Sequence, residues 1–148
     1  MSDKPHITVA AVVEGAGRFL VVEEEADGRV VYNQPAGHLD DGETVLQAVV
    51  RETLEETAWH FAPQAIVGIY RWRSPANGIT YVRVCFSGTC LQHEAGRSLD
   101  SGILRALWLS RDELSALGEQ LRSPMVLRCI DDYRAGKTYP LGLLTELA

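Results

Sequence analysis

Residues 37–59 read GHLDDGETVLQAVVRETLEETAW, and the chain is best understood outward from this stretch. Its first part is a loop, because Gly37 and Gly42 sit among polar residues with Pro35 just upstream. From Glu43 to about Thr57 the apolar residues recur at helical spacing. At about 100° per residue, with Glu52 set at zero, Glu55 falls near about −60° and Glu56 near about +40°. Three carboxylates therefore share one arc. Leu46, Val50, Thr53, Leu54 and Thr57 occupy roughly 100–200°, which predicts a packing stripe separate from the charged one. Like charges at i,i+3 and i,i+4 destabilise an isolated helix by about 0.2–0.5 kcal/mol per pair, so the cluster calls for a positive partner. Oxygen donors of this kind suit a hard cation: Mg²⁺ first, Mn²⁺ as a substitute, whereas zinc would recruit His or Cys. Together the three glutamates account for half of the formal net charge of −6.

On either side the pattern is one of short strands and helices. His6 to Val13, Phe19 to Glu25 and Arg29 to Asn33 read as strands, the last two joined by Asp27-Gly28, a strong hairpin signal. The triplet Glu23-Glu24-Glu25 reads as a solvated strand end. Beyond the helix, Ala65 to Trp72 and Ile79 to Leu91 form a second antiparallel pair across an Asn77-Gly78 turn. Residues 93–102 are a polar loop long enough to be functional, and Leu104 to Leu109 returns as a strand. Ser110 is placed to cap a short helix, and Ser123-Pro124 opens a last one that runs to about Arg134 and is closed by Gly136. This order predicts an α/β fold, a mixed sheet with helices packed on it.

Composition narrows the function. A chain of 148 residues has room for one core, so a single domain over 1–148 is expected. With 46% apolar and 23% charged residues, neither a disordered segment nor a long coiled coil is expected. The acidic balance disfavours nucleic acid and anionic membrane as partners. No apolar run approaches the length of a membrane span, and Met-Ser-Asp-Lys-Pro-His at the start lacks the apolar core of a signal. Cys85, Cys90 and Cys129 form no C-x-x-C pair, which fits a reducing, cytoplasmic home. An anionic substrate would need a metal ion to offset the chain's own negative charge.

The string Gly37-x5-Glu43-x7-Arg51-Glu52-x2-Glu55-Glu56 resembles the Nudix box, G-x5-E-x7-R-E-U-x-E-E-x-G-U, where U is aliphatic. Thr53, Ala58 and Trp59 stand where the pattern has an aliphatic residue, a glycine and an aliphatic residue. Every charged position and the first glycine match. The likeness to bacterial Nudix hydrolases continues through KPHITVA at 4–10, FLVVEE at 19–24, NQPAGHL at 33–39, LRSP at 121–124 and YPL at 139–141. What the resemblance implies is an α/β/α sandwich with a mixed central sheet. It also implies a hydrolase of nucleoside di- and triphosphates that accepts hydroxymethylpyrimidine pyrophosphate, a thiamine precursor, and releases inorganic phosphate. By the same resemblance Glu52, Glu55 and Glu56 bind or bridge metal ions, the Gly37 carbonyl adds an oxygen, and Arg51 pairs with Glu43 and orients the carboxylates. The general base is then Glu52 or a carboxylate outside the box, with Asp100 in the 93–102 loop as the outside candidate.

Weaker signals concern the substrate. Gln34 and His38 bracket Gly37 and are candidates to bond a base or phosphate. Arg71 flanks Trp72, and strand alternation puts Tyr81 and Arg83 on one face suited to an anionic, aromatic ligand. His6 and His60 are singletons without metal-ligand spacing. Two rival readings stand beside the phosphatase: a pyrophosphohydrolase for ADP-ribose, a dinucleotide or an oxidised nucleotide, and a nucleotide-binding module without turnover.

Overall fold

In the computed structural model, which describes residues 4–147, the strand β1 (His6–Val12) sets the layering. Successive strand residues point to opposite faces. Val9 and Ala11 accordingly pack with Ala48 and Val49 of α1 (Val45–Thr57). Ala10 and Val12 pack with Cys129 and Ile130 of α3 (Met125–Arg134) on the other side. The strand lies between two helical layers, each sealed by its own apolar cluster.

β1 is central in a mixed four-stranded sheet of order β5-β1-β7-β6, where β5 is Ala36–His38, β6 is Trp59–Arg73 and β7 is Thr80–His93. β1 runs parallel to β7 and antiparallel to β5, and β6 and β7 are antiparallel. The expected α/β fold with a mixed sheet is present. It is accompanied by a second, antiparallel sheet of β2 (Glu14–Gly15), β3 (Arg18–Ala26) and β4 (Arg29–Asn33), with β8 (Ile103–Leu109) on the free side of β3. Asp27 and Gly28 turn the β3–β4 hairpin with φ of 52° and 76°, the left-handed pair that a two-residue hairpin favours. α2 (Arg111–Ala116) is capped by Ser110, and Gly136 follows α3 at φ 82°. Among the described residues no helix is long and apolar enough to cross a membrane.

Several boundaries differ from the sequence reading. Helix α1 begins at Val45 rather than Glu43, because Thr44 is its N-cap. The Thr44 hydroxyl accepts from the Gln47 amide while the Gln47 side chain bonds the Thr44 N–H, satisfying two donors that the helix itself cannot. Pro35 and Gly37 suggest only loop, yet Ala36–His38 pairs with β1 as a short edge strand. Strand β6 starts at Trp59, not Ala65, since Pro63 lies at an irregularity of an edge strand, where a missing N–H is tolerated. The glutamate triplet is not simply solvated: Glu23 bonds Tyr32 and Arg105, and Glu24 pairs with Arg122 at 2.6 Å.

The largest correction concerns the faces of α1. Its buried residues are Ala48, Val49, Thr53, Glu56 and Thr57, an arc that contains the glutamates' own direction. Leu46, Val50 and Leu54 are only half-buried. Packing and charge are therefore not segregated on this helix. Glu52 and Glu56 point into the seam between α1 and β5, and Glu56 is 8% exposed.

Candidate active site

The loop after β5 and the first turns of α1 are locked together by one arginine. Arg51 donates from Nε and Nη2 to both oxygens of Glu43, at 2.9 and 2.7 Å, a fork-to-fork pairing that a lysine cannot make. Its Nη1 donates to Glu52 at 2.6 Å and Glu55 at 2.9 Å, and its Nη2 reaches the His38 carbonyl at 3.1 Å. The guanidinium beside Glu43 holds that carboxyl below the usual range. Burial pushes the Glu52 carboxyl upward, partly opposed by Arg51. The Glu43–Arg51 pairing and the contact of Arg51 with two of the three glutamates are thus both present.

Glu52 and Glu55 have oxygens within 4.8 Å of each other and of the Asp100 carboxylate. Asp100 is delivered by the 93–102 loop, whose backbone N–H at Asp100 donates to the Glu55 carbonyl at 3.0 Å. Glu56 lies outside that trio. One of its oxygens accepts from the Ala36 N–H at 2.9 Å, and burial, ahead of any charge effect, pushes its carboxyl up to about 9. At neutral pH without a cation it carries a proton.

Gly37 is adjacent to this cluster. A Cβ placed on Gly37 would lie 2.1 Å from the Glu52 carboxyl carbon, so the absence of a side chain is what leaves room for the carboxylate. The donor set fits a hard divalent cation: it is all oxygen, pre-clustered, and cradled where any side chain at Gly37 would intrude.

Gly37, Glu52 and Glu56 share a cleft of about 470 Å³ with His38, Tyr81, Arg83 and Trp72. Trp72 stacks on Tyr81 with centroids 6.0 Å apart and planes 22° from parallel. His38 lies beside them, its Nε2 2.9 Å from His6 Nδ1. Burial and the neighbouring His6 depress the His38 pKa. Of the weaker candidates, His38, Tyr81 and Arg83 are brought to the acidic cluster. Gln34 is fully buried and engaged at both ends, accepting from Arg83 at 2.8 Å and donating to the Val126 carbonyl at 2.6 Å, so it braces the floor rather than facing a ligand. Arg71 lines a separate cleft of about 640 Å³ beside Tyr70 and Asp132. Sequence reasoning missed His6 and Trp72. His6 looked solitary because its partner is 32 residues away.

Residues 4–129 match the NUDIX domain. The chain is 39% identical over 143 residues to phosphatase NudJ of Escherichia coli, covering 97% of this chain and 92% of that one. The chain therefore belongs to the NUDIX family. It is a hydrolase of that family, acting on pyrophosphate bonds. Among solved structures it is similar to a NUDIX hydrolase from Nitrosomonas europaea, with 48% identity, a TM-score of 0.95 and coverage of 97% and 98% of the two chains. A MutT NUDIX hydrolase from Burkholderia pseudomallei, at 20% identity, TM-score 0.73 and coverage of 87% and 98%, shares the fold.

Proposed function

We propose that the chain is a Mg²⁺-dependent phosphohydrolase, with Mn²⁺ as a substitute, that cleaves phosphoanhydride bonds of nucleoside di- and triphosphates and related small pyrophosphates and releases phosphate. Hydroxymethylpyrimidine pyrophosphate belongs to that substrate class, and similarity to phosphatase NudJ supports release of phosphate. The observation that carries the reading is the oxygen cluster of Glu52, Glu55 and Asp100 beside Gly37. Glu52, Glu55, Glu56 and the Gly37 carbonyl would hold the cation, with Asp100 as an added donor. When bound, the cation shields phosphate charge and acidifies a coordinated water.

The chain's own residues do the rest. Arg51 fixes the Glu52 and Glu55 carboxylates against their mutual repulsion and ties them to the loop through Glu43 and the His38 carbonyl. Glu52, or Asp100 in the same cluster, is placed to accept the proton of the attacking water. Glu56, whose carboxyl burial raises to about 9, would give up its proton on taking its place as a ligand. Trp72 and Tyr81 offer a flat apolar wall to a base or heterocycle, with His38 at its edge. Three unpaired cysteines suit a reducing cytoplasm, and we take the working unit to be a monomer.

The test is a panel of nucleoside di- and triphosphates, hydroxymethylpyrimidine pyrophosphate, ADP-ribose and dinucleotides, with products identified. Phosphate release with Mg²⁺, and its loss in Glu55→Gln at unchanged thermal midpoint, is the expected result. AMP or pyrophosphate as the product would replace the phosphatase with the pyrophosphohydrolase. Nucleotide binding with no turnover would leave a binding module.

A further inference from the structure

Arg83 on β7 is 3% exposed and is the one lysine or arginine in the interior among the described residues. None of its three hydrogen-bond partners is a carboxylate: they are Gln34 Oε1 at 2.8 Å, Asn33 Oδ1 at 3.1 Å and Cys129 Sγ at 3.8 Å, a thiol that its contact with Cys85 and the nearby Arg83 charge pull below the usual range. Its Nε is buried with no partner at all. A buried guanidinium without a carboxylate carries a desolvated charge that amide oxygens and one distant sulfur offset only in part, so an anion that reaches it gains a strong partner. The other arginines that approach carboxylates, Arg18, Arg51, Arg97, Arg105, Arg111, Arg122 and Arg128, all do so from more exposed positions.

Position gives this orphan charge a use. In the sheet register Arg83 lies opposite Thr8 on β1, and Thr8 lies opposite His38 on β5. The guanidinium leans toward Asn33 and Gln34, in the segment that runs directly into Gly37. Arg83, Asn33 and Thr8 line the same cleft as Gly37, Glu52 and Glu56. With its Oδ1 taken by Arg83, Asn33 has an amide NH2 with no protein partner among the described residues. The cleft thus carries the donors of Arg83 and Asn33 together with the carboxylates of Glu52 and Glu56. A donor-rich floor takes an acceptor-rich group, and phosphate oxygens match a guanidinium best.

We propose that Arg83, with the Asn33 amide, is the receptor for the substrate phosphate that the acidic cluster does not hold. This rests on reading the cleft as a phosphoanhydride-hydrolase site. A bracing role alone would need no positive charge at this position.

The probe is methylenediphosphonate, which is not hydrolysed, titrated calorimetrically with Mg²⁺ present and compared with orthophosphate. Mg²⁺ affinity and thermal midpoint are measured separately on each protein. Arg83→Gln is expected to weaken diphosphonate binding at least tenfold and orthophosphate binding much less, with Mg²⁺ affinity unchanged and Arg83→Lys partly restored. In steady state its KM for nucleoside diphosphates rises more than its kcat falls. Asn33→Asp covers the case in which Arg83→Gln does not fold. It supplies the missing carboxylate, so its midpoint stays at or above wild type while diphosphonate affinity drops at least tenfold. Diphosphonate affinity within threefold of wild type, in Arg83→Gln or in Asn33→Asp, overturns the receptor. If wild-type protein binds no Mg²⁺ but diphosphonate affinity still depends on Arg83, the receptor stands and the metal-dependent reading falls.

Discussion

Gly37→Ala isolates the geometry on which the active site depends. Gly37 does not lie in the left-handed region, so alanine adopts its backbone without strain, and what changes is the added methyl. That carbon would sit 2.1 Å from both the Cδ and one oxygen of Glu52, and 2.5 Å from the other oxygen. Ordinary contact begins near 3.4 Å, so the carboxylate must retreat by more than about 1 Å. Glu52 is the end of a flexible side chain and can move, but only by breaking its 2.6 Å bond to Arg51 and leaving the trio with Glu55 and Asp100. Misplacement by about 1 Å costs on the order of 100-fold in rate, roughly 2.7 kcal/mol of barrier. Folding stability should change by less than about 1 kcal/mol, since Gly→Ala at a compatible φ restricts the unfolded chain. The assay pairs kcat for Mg²⁺-dependent phosphate release with urea midpoints on both proteins. A kcat within threefold of wild type would refute the claim that the bare α-carbon makes room for Glu52.

Two other perturbations follow from the same cluster. With its folded-state carboxyl raised to about 9, Glu56 contributes stability that is complete below about pH 4.5 and is lost as pH rises toward 9. Metal-free protein should therefore weaken between pH 6 and 8 by up to about 1.4 kcal/mol per unit relative to Glu56→Gln, and parallel urea-midpoint profiles for the two would contradict this. Arg51→Lys forfeits the forked pairing with Glu43 and at least one of the contacts to Glu52 and Glu55; about 1–3 kcal/mol of stability and 10–100-fold in kcat should go, read by denaturant midpoint and initial rate.

Helical periodicity was enough to bring Glu52 and Glu55 together, because their proximity is local, but it gave no sign that Asp100 rather than Glu56 completes the trio. The glutamates' burial was not readable in the same way. A helical wheel sorts residues by polarity, and it sent the carboxylates outward, whereas Glu56 is 8% exposed and bonded to the Ala36 N–H. The site is a place where the polarity rule is broken, and the neighbouring loop supplies the compensation. Thr44-x-x-Gln47 was a legible cap that the apolar pattern overran at Glu43. Strand alternation placed Tyr81 and Arg83 on one face, and the register with His6 and Thr8 agrees. That Arg83 would be interior had no local signal, because its Asn33 and Gln34 partners lie 50 and 49 residues away. Gln34 shows the converse: nearness to Gly37 along the chain suggested ligand contact, and three-dimensional packing turned it into a strut.

The N-terminus of α1 has one more ligand from far down the chain, for the Val45 N–H donates to the Glu146 carboxylate at 2.8 Å. An anion there suits the positive end of the helix dipole. During synthesis the ribosome makes Val45 101 residues before its acceptor, and the parallel neighbour of β1 also follows the box. The acidic helix thus has its own Thr44–Gln47 cap from the start but lacks this last anion until almost all of the described chain has emerged. At about 5–20 residues per second that interval lasts roughly 5–20 s, during which the carboxylates of α1 exist without the parallel neighbour of β1 and without this last contact.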